Sequence, residues 1–161
     1  MAKKNIMTIQ AVNFMAYYNR EETKARFSSL PLKIQWTLRK NAKELDKCAK
    51  DFDEFRNDLI TKRNEDWFIE GNGKCEKYTQ KNENGEDVEM LRITEEYMDE
   101  YKKYEDNLNS QLEEILREMN EITYTPIDLD DFVEKAEGTD ITMDDVDMIS
   151  MFEEETEKED E

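Results

Sequence analysis

The sequence predicts a mainly α-helical protein built around two long helices that pair as an antiparallel, coiled-coil-like hairpin. The first observation is a heptad pattern of apolar residues over residues 32–60, which keeps one stripe on one helix face. The second is a similar stripe over residues 97–122. The third is a composition of only four Gly and two Pro in 161 residues, which argues against a turn-rich β sandwich. The first stripe comprises Ile34, Leu38, Asn41, Leu45, Cys48, Phe52, Phe55 and Leu59. The second comprises Tyr97, Tyr101, Tyr104, Leu108, Ile115, Met119 and Ile122.

The charge content favours elongated helices with wide solvated faces over a compact α/β globule. Charged residues make up 40% of the chain, against about 25% in an average domain. The net charge of −19 divides unevenly, with +6 on residues 1–64, −10 on residues 65–120 and −15 on residues 121–161. The first two segments can complement each other, which supports the pairing of the two long helices. Nothing in the chain neutralises the last segment.

Start and stop signals place the elements of the first half. Residues 5–27 are expected to form an N-terminal helix capped by Thr8, and the Ser-Ser-Leu-Pro sequence before Leu32 begins the first long helix, which should reach Asn64. Asn41 lies at an interior position of the first stripe, where it either sets the register of the pair or is a tolerated polar residue.

The linker and the second half follow from turn and capping signals. Asn84-Gly85 predicts a small β-hairpin between residues 74–80 and 87–93, with an open polar loop as the alternative. Thr94 should begin the second long helix, which ends near Asn120, and residues 122–127 should be extended. Short C-terminal helices are expected after the caps Asp128 and Thr142. A single elongated domain is therefore predicted for residues 1–152, and a disordered acidic tail for residues 153–161.

The residues that perform chemistry in other proteins do not form a recognisable site in this sequence. The chain has no His, which is the commonest general base and zinc ligand, and no glycine-rich phosphate loop. The Asp-rich stretches after residues 128 and 144 lack the glycine and terminal glutamate of a calcium loop. Cys48 is best explained as a small core residue, although its pairing with Cys75 stays open. We therefore expect no enzyme activity, no cofactor and no metal site.

Two features can be explained either as structure or as an interaction surface. The aromatic series of Tyr97, Tyr101 and Tyr104 with Trp36, Phe52 and Phe55 is either core or an interaction patch. The acidic last third is either a solvating segment or a set of carboxylates that imitates a row of phosphates. In the second case the expected partner-binding residues are Asp130, Asp131, Glu134, Asp144, Asp145, Asp147 and Phe152.

The order of these features resembles a family of small tailed-phage (siphophage or prophage) proteins whose function is not established. The resemblance covers most of the chain up to about Phe152, and it implies a phage origin and a non-catalytic accessory role without transferring an active site. The insert at 65–80 and the acidic tail are longer than that family leads one to expect. The matching segments are Ala11-Val12-Asn13-Phe14, Leu30-Pro31-Leu32-Lys33-Ile34, Arg39-Lys40-Asn41, Phe52-Asp53-Glu54-Phe55-Arg56, Asn84-Gly85, Ile127-Asp128-Leu129 and Ile141-Thr142-Met143-Asp144-Asp145-Val146.

These observations leave two functional hypotheses. The first is an acidic protein that binds and inhibits a host defence complex by imitating nucleic acid, and the second is a structural or assembly protein of the phage particle. In either case we expect a host or phage protein as partner, with a basic surface. Direct binding to nucleic acid or to a membrane is not expected, because the net charge of −19 would repel both. No apolar stretch is long enough for a signal peptide or a membrane span, so we expect the protein in the cytoplasm of the host cell.

Overall fold

The computed structural model describes residues 1–155, and it is mainly helical with two small two-stranded sheets. In chain order the elements are β1 (Ala2–Met7), α1 (Thr8–Tyr18), α2 (Glu21–Phe27), α3 (Leu32–Trp67), β2 (Cys75–Lys81), β3 (Asp87–Ile93), α4 (Met98–Leu116), β4 (Met119–Tyr124), α5 (Leu129–Ala136) and α6 (Met143–Ile149). Single 3₁₀ turns, Glu95–Tyr97 and Ser150–Phe152, precede α4 and follow α6. Of the predicted acidic tail, residues 156–161 lie outside the described residues.

The chain forms two compact units. The terminal unit comprises Met1–Asp51 and the described chain from Leu116 onward, and the middle unit comprises Phe52–Ile115. The prediction of one domain over residues 1–152 stays a prediction. Each unit has its own cluster of buried apolar side chains, so each is described separately.

The N-terminus of the terminal unit corrects the sequence-based expectation of one helix over residues 5–27. Residues Ala2–Met7 form a strand that pairs antiparallel with β4, with Lys4 opposite Ile122. Met7, and not Thr8, is the N-cap of α1, whereas the Thr8 N–H donates to the Glu118 carbonyl at 3.0 Å. The strand was missed because its partner is more than 110 residues away, and local periodicity contains no information about such a partner.

Helix α3 begins at Leu32 as predicted and extends to Trp67. In the terminal unit, the heptad residues Ile34 and Cys48 are partly buried, whereas Leu38 and Leu45 are 1% and 0% exposed. They join a core of fifteen buried residues that also includes members of α1, β1, β4 and α5. In the middle unit, Phe52 is 7% exposed but Phe55 is 46% exposed. The predicted stripe is therefore buried in its first part and reaches solvent in its second.

Asn41 is buried for a reason that the heptad pattern does not reveal. Its side-chain amide donates to the Thr125 carbonyl at 2.9 Å, and its side-chain oxygen accepts the Thr125 N–H at 2.8 Å. This two-way pair satisfies both polar groups and fixes the chain after β4 against α3. Its hydrogen-bond partner is therefore a backbone segment of the terminal unit.

The predicted β-hairpin of the middle unit is confirmed. Strands β2 and β3 pair antiparallel, and the Asn82 side chain accepts the N–H groups of Asn84 and Glu86 within the turn. Gly85 has a φ of +76°, which the turn requires and which glycine adopts without strain. At the base of the hairpin, Cys75 and Ile93 pack with Trp67 in the second buried cluster.

Helix α4 is shorter than the sequence predicts. It ends at Leu116, and the last two members of the second stripe lie on β4, where Met119 is 58% exposed and Ile122 is buried. At the start of α4, Tyr101 and Tyr104 lie with ring centroids 5.4 and 5.8 Å from that of Trp67. These tyrosines are half-buried structural residues of the middle unit. Antiparallel pairing of α3 and α4 along their length remains a prediction.

Candidate protein-binding surface

Helix α5 is fixed by its cap and by one buried aromatic residue. The Asp128 side chain accepts the Asp131 N–H at 3.0 Å, as its predicted capping role requires, and Gly138 follows the helix with a φ of +79°. Phe132 is 1% exposed and belongs to the main core. Because Phe132 faces inward, the carboxylates of Asp130, Asp131 and Glu134 lie on the exposed side of the helix.

Helix α6 is held by the predicted Thr142 cap and by two buried residues. The Thr142 hydroxyl accepts the Asp145 N–H at 3.2 Å, and the Asp145 carboxylate accepts the Thr142 N–H at 3.0 Å, which completes a capping box. Ile149 and Phe152 are 0% exposed. Asp144 and Asp147 remain exposed.

Asp145 is the buried anchor of α6 to α1 and α2. Its carboxylate accepts two hydrogen bonds of 2.8 Å from the Arg26 guanidinium. It also accepts a hydrogen bond from the Tyr17 hydroxyl. Arg26 in addition donates to the Tyr17 hydroxyl at 3.2 Å and to the Thr23 hydroxyl at 3.3 Å. The Asp145 side chain has no exposed surface and that of Arg26 is 24% exposed, so this is a largely desolvated, bidentate ion pair.

The same contacts determine the protonation of the pair. Burial alone would raise the pKa of Asp145, but hydrogen bonds from Arg26, the Thr142 N–H and Tyr17 lower it to about 2. The hydrogen bond with Asp145 raises the pKa of Arg26. Burial and the hydrogen bond to Asp145 raise the pKa of Tyr17. All three groups therefore keep their ordinary charge states at neutral pH.

The structure corrects the predicted partner-binding set at two positions. Asp145 and Phe152 have no exposed surface, so neither can contact a partner from the folded surface. Phe152 packs edge-to-face on Phe14 at 5.2 Å, and its carbonyl accepts the Ile127 N–H at 2.8 Å. Asp130, Asp131, Glu134, Asp144 and Asp147 are exposed, as the prediction requires.

Exposed carboxylates are concentrated on α5, α6 and the segments that flank them. Lys135 is the one basic residue between residues 128 and 155, and it pairs with Asp131 at 2.8 Å. We call this surface the acidic face. Its eleven exposed carboxylates are Asp128, Asp130, Asp131, Glu134, Glu137, Asp140, Asp144, Asp147, Glu153, Glu154 and Glu155.

An apolar hollow borders the acidic face beside α5. It has a volume of about 260 Å³, and its apolar lining includes Ile34, Pro126, Ile127 and Phe132. Two carboxylates, Asp128 and Asp131, and two lysines, Lys33 and Lys135, also line it. An apolar group of a partner can therefore be buried beside α5, next to charged side chains of both signs.

Sequence reasoning missed the residues that hold the acidic face in place. Arg26 forms an ion pair with Asp145 from 119 residues away, and the Tyr17 hydroxyl donates a hydrogen bond to it from 128 residues away. The Lys4 ammonium on β1 donates to the Met151 carbonyl, and burial lowers the pKa of Lys4. No local pattern marks these partners. The capping box after Thr142 was a signal that Asp145 differs from Asp144 and Asp147, because an N3 carboxylate turns back to the helix start.

Within residues 1–155, no group of three or more acidic or Cys side chains is arranged to hold a metal ion. No helix in the described part of the chain has both the length and the apolar character to cross a membrane. Cys48 and Cys75 are free thiols. Cys48 packs against the main core, as expected for a structural residue. Comparisons of this chain with family models, curated proteins and solved structures found no match.

Proposed function

We propose that this is a phage-encoded, non-catalytic protein that binds a basic surface on a host protein through its acidic face. The observation that carries the proposal is the set of eleven exposed carboxylates with a single Lys between residues 128 and 155. Carboxylates on helices, such as those of α5 and α6, can present negative charge as the phosphates of a nucleic acid do. The proposed target is therefore a nucleic-acid-binding groove of a host defence complex, which the protein occupies and inhibits.

The packing beneath the acidic face supports this proposal. Phe132, Ile149 and Phe152 are each 0–1% exposed, and they hold α5 and α6 on the main core. Carboxylates on fixed helices lose less conformational entropy on binding than those of a flexible segment do. Charge then accelerates and orients association, while an apolar group entering the hollow beside α5 contributes buried area.

The test neutralises exposed carboxylates and leaves Asp145 intact. The face variant combines Asp130→Asn, Glu134→Gln, Asp144→Asn and Asp147→Asn. The control variant makes the same chemical changes in the middle unit, with Glu83→Gln, Asp87→Asn, Asp99→Asn and Asp106→Asn. All eight side chains are exposed, and the two variants have equal net charge.

Each protein is immobilised and incubated with lysate of phage-infected cells, and captured proteins are quantified by mass spectrometry. We expect a basic, nucleic-acid-binding host protein on the wild type and the control variant, with at least about tenfold less on the face variant. Binding of the purified partner should weaken with rising salt and should compete with its nucleic acid. Equal capture by both variants would contradict the proposal.

A role in particle assembly is the second candidate, and the exposed apolar residues of the middle unit favour it. Phe55, Val88 and Met90 are 46%, 40% and 43% exposed. If α3 and α4 pair as an antiparallel hairpin, that hairpin can serve as a strut or adaptor, with these side chains at a contact. Self-association or capture of a phage protein that Val88→Ser with Met90→Ser abolishes, and that the face variant retains, would favour assembly over inhibition.

A further inference from the structure

A groove lined by basic residues, in contrast to the acidic face, lies in the terminal unit, where α1 and α2 meet the first turns of α3. Two adjoining hollows of about 340 and 360 Å³ form it, and they share Tyr18, Lys24 and Arg39. The segment after α2 forms one wall. It is held by the Gln35 side chain, which donates to the Leu30 carbonyl at 2.7 Å and to the Ser28 carbonyl at 3.2 Å. We call it the basic groove.

The floor and rim of the basic groove are aromatic and aliphatic. Tyr18 stacks on Phe14 with ring centroids 5.7 Å apart, and its ring centroid lies 5.9 Å from that of Phe27. Leu38 is 1% exposed beneath them, whereas Trp36 is 59% exposed at the rim. A fixed aromatic floor beside an exposed Trp is typical of sites that bury an apolar side chain of a partner.

Three cations line the basic groove without a carboxylate partner. Lys24, Arg39 and Lys43 form no ion pair within residues 1–155. Elsewhere on α3, Lys47 pairs with Glu44 at 3.0 Å. Asp46, the one carboxylate that lines the groove, pairs with Lys50 at 2.9 Å. In a chain of net charge −19, three unpaired cations around one apolar floor form a distinct positive site.

We propose that the basic groove binds an acidic peptide segment of a partner protein, with a Leu or Phe side chain on the aromatic floor and carboxylates on Lys24, Arg39 and Lys43. The apolar group provides buried area, and the cations select a negative segment over a neutral one. This site is separate from the acidic face. The protein would then bring together a basic partner and an acidic one.

A peptide fits the groove better than single-stranded nucleic acid does. A nucleic acid would extend its backbone charge beyond the three cations of the groove, over a chain whose net charge is −19. A short peptide can confine its carboxylates to the three cations. The volume near 340 Å³ also suits one large apolar side chain, whereas stacking of successive bases needs several exposed aromatic groups in a row.

The test uses the full chain and a synthetic peptide of glutamates interrupted by leucine and phenylalanine. Affinity is measured by calorimetry, and occupancy by the fluorescence of Trp36, with Trp36→Phe to show that the signal comes from that residue. We expect micromolar binding that weakens with salt. Arg39→Glu should weaken it at least about tenfold, and Lys40→Glu, an equal charge change on α3 outside the groove lining, less than about twofold.

Control ligands and controls on the protein identify other occupants. A peptide with lysines in place of the glutamates, and one with alanines in place of leucine and phenylalanine, should each bind at least about tenfold more weakly.

Tighter binding of oligothymidylate than of the acidic peptide would overturn the proposal in favour of nucleic acid. A Trp36 signal that changes with protein concentration alone would identify a second copy of the chain instead. A signal that changes on deletion of residues 153–161 would identify the chain's own tail. No binding at millimolar acidic peptide would also overturn it. None of these outcomes depends on the acidic face.

Discussion

The two units of this protein differ most in how much apolar surface they bury. The terminal unit has a core of fifteen buried residues drawn from helices and from strands at both ends of the chain. The middle unit has five buried apolar residues, of which Trp67, Cys75 and Ile93 form a cluster with partly buried residues around it. Because buried apolar area supplies most of the free energy of folding, the terminal unit should be the more stable one. Both proposed binding surfaces lie on it.

Helix α3 shows the same contrast within one element. Its heptad pattern continues across both units, yet Leu45 is 0% exposed and Phe55 is 46% exposed. The pattern identifies which face of a helix can be buried. It does not identify what covers that face, and in the terminal unit the covering residues come from α1, β1, β4 and α5. An apolar stripe is therefore good evidence for a helix and weaker evidence for its partner.

The largest expected effect concerns this contrast on α3. Leu45→Ala should lower the free energy of unfolding by about 2–5 kcal/mol, because it leaves a cavity in the main core. Leu59→Ala, at a half-buried heptad position of the middle unit, should cost about 1 kcal/mol or less. Urea unfolding followed by circular dichroism measures both. A larger loss for Leu59→Ala would reverse the assignment of stability to the terminal unit.

The next effect concerns the buried ion pair beneath the acidic face. The pKa of Asp145 is lowered in the folded protein from 3.8 to about 2. This lowering contributes about 2 kcal/mol to the free energy of unfolding at neutral pH. The contribution is lost as the pH falls from about 5 to about 2. Asp145→Asn should therefore be destabilising at pH 7, and its difference from the wild type should shrink across that range.

Its matched control is Asp144→Asn, one residue away and exposed. That change should alter the free energy of unfolding by about 0.5 kcal/mol or less at every pH. Thermal unfolding of the three proteins at several pH values gives the comparison. If the two variants have the same pH dependence, Asp145 does not anchor α6 to Arg26.

The smallest expected effect is removal of residues 153–161. These nine residues contain seven carboxylates and one Lys, and they cannot bury enough apolar surface to offset their ordering entropy. The melting temperature should stay the same or rise slightly, because self-repulsion falls. Calorimetry of the truncated chain checks this, and a clear drop in melting temperature would refute it.

Local signals predicted the parts of the fold that local contacts determine. The start of α3, the hairpin at Asn84-Gly85 and the caps Asp128 and Thr142 are each set by residues within a few positions of one another. The pairing of β1 with β4 was not predictable, because it joins residues such as Lys4 and Ile122. The burial of Asp145 was not predictable for the same reason, because its partner is distant in the sequence, whereas the other carboxylates of the predicted set are exposed. Burial of an ionised carboxylate is costly unless it is paired, and the cation that pairs with Asp145 is Arg26 of α2.

Hydrogen exchange read by mass spectrometry tests most directly whether the terminal unit is the stable support of both binding surfaces. The amides of β1, β4, α1 and residues 38–49 should exchange slowest, through openings that approach global unfolding. Those of β2 and β3, in an isolated two-stranded sheet with few buried side chains, should exchange orders of magnitude faster. Equal protection of the two sheets, or slower exchange in β2 and β3, would contradict the account.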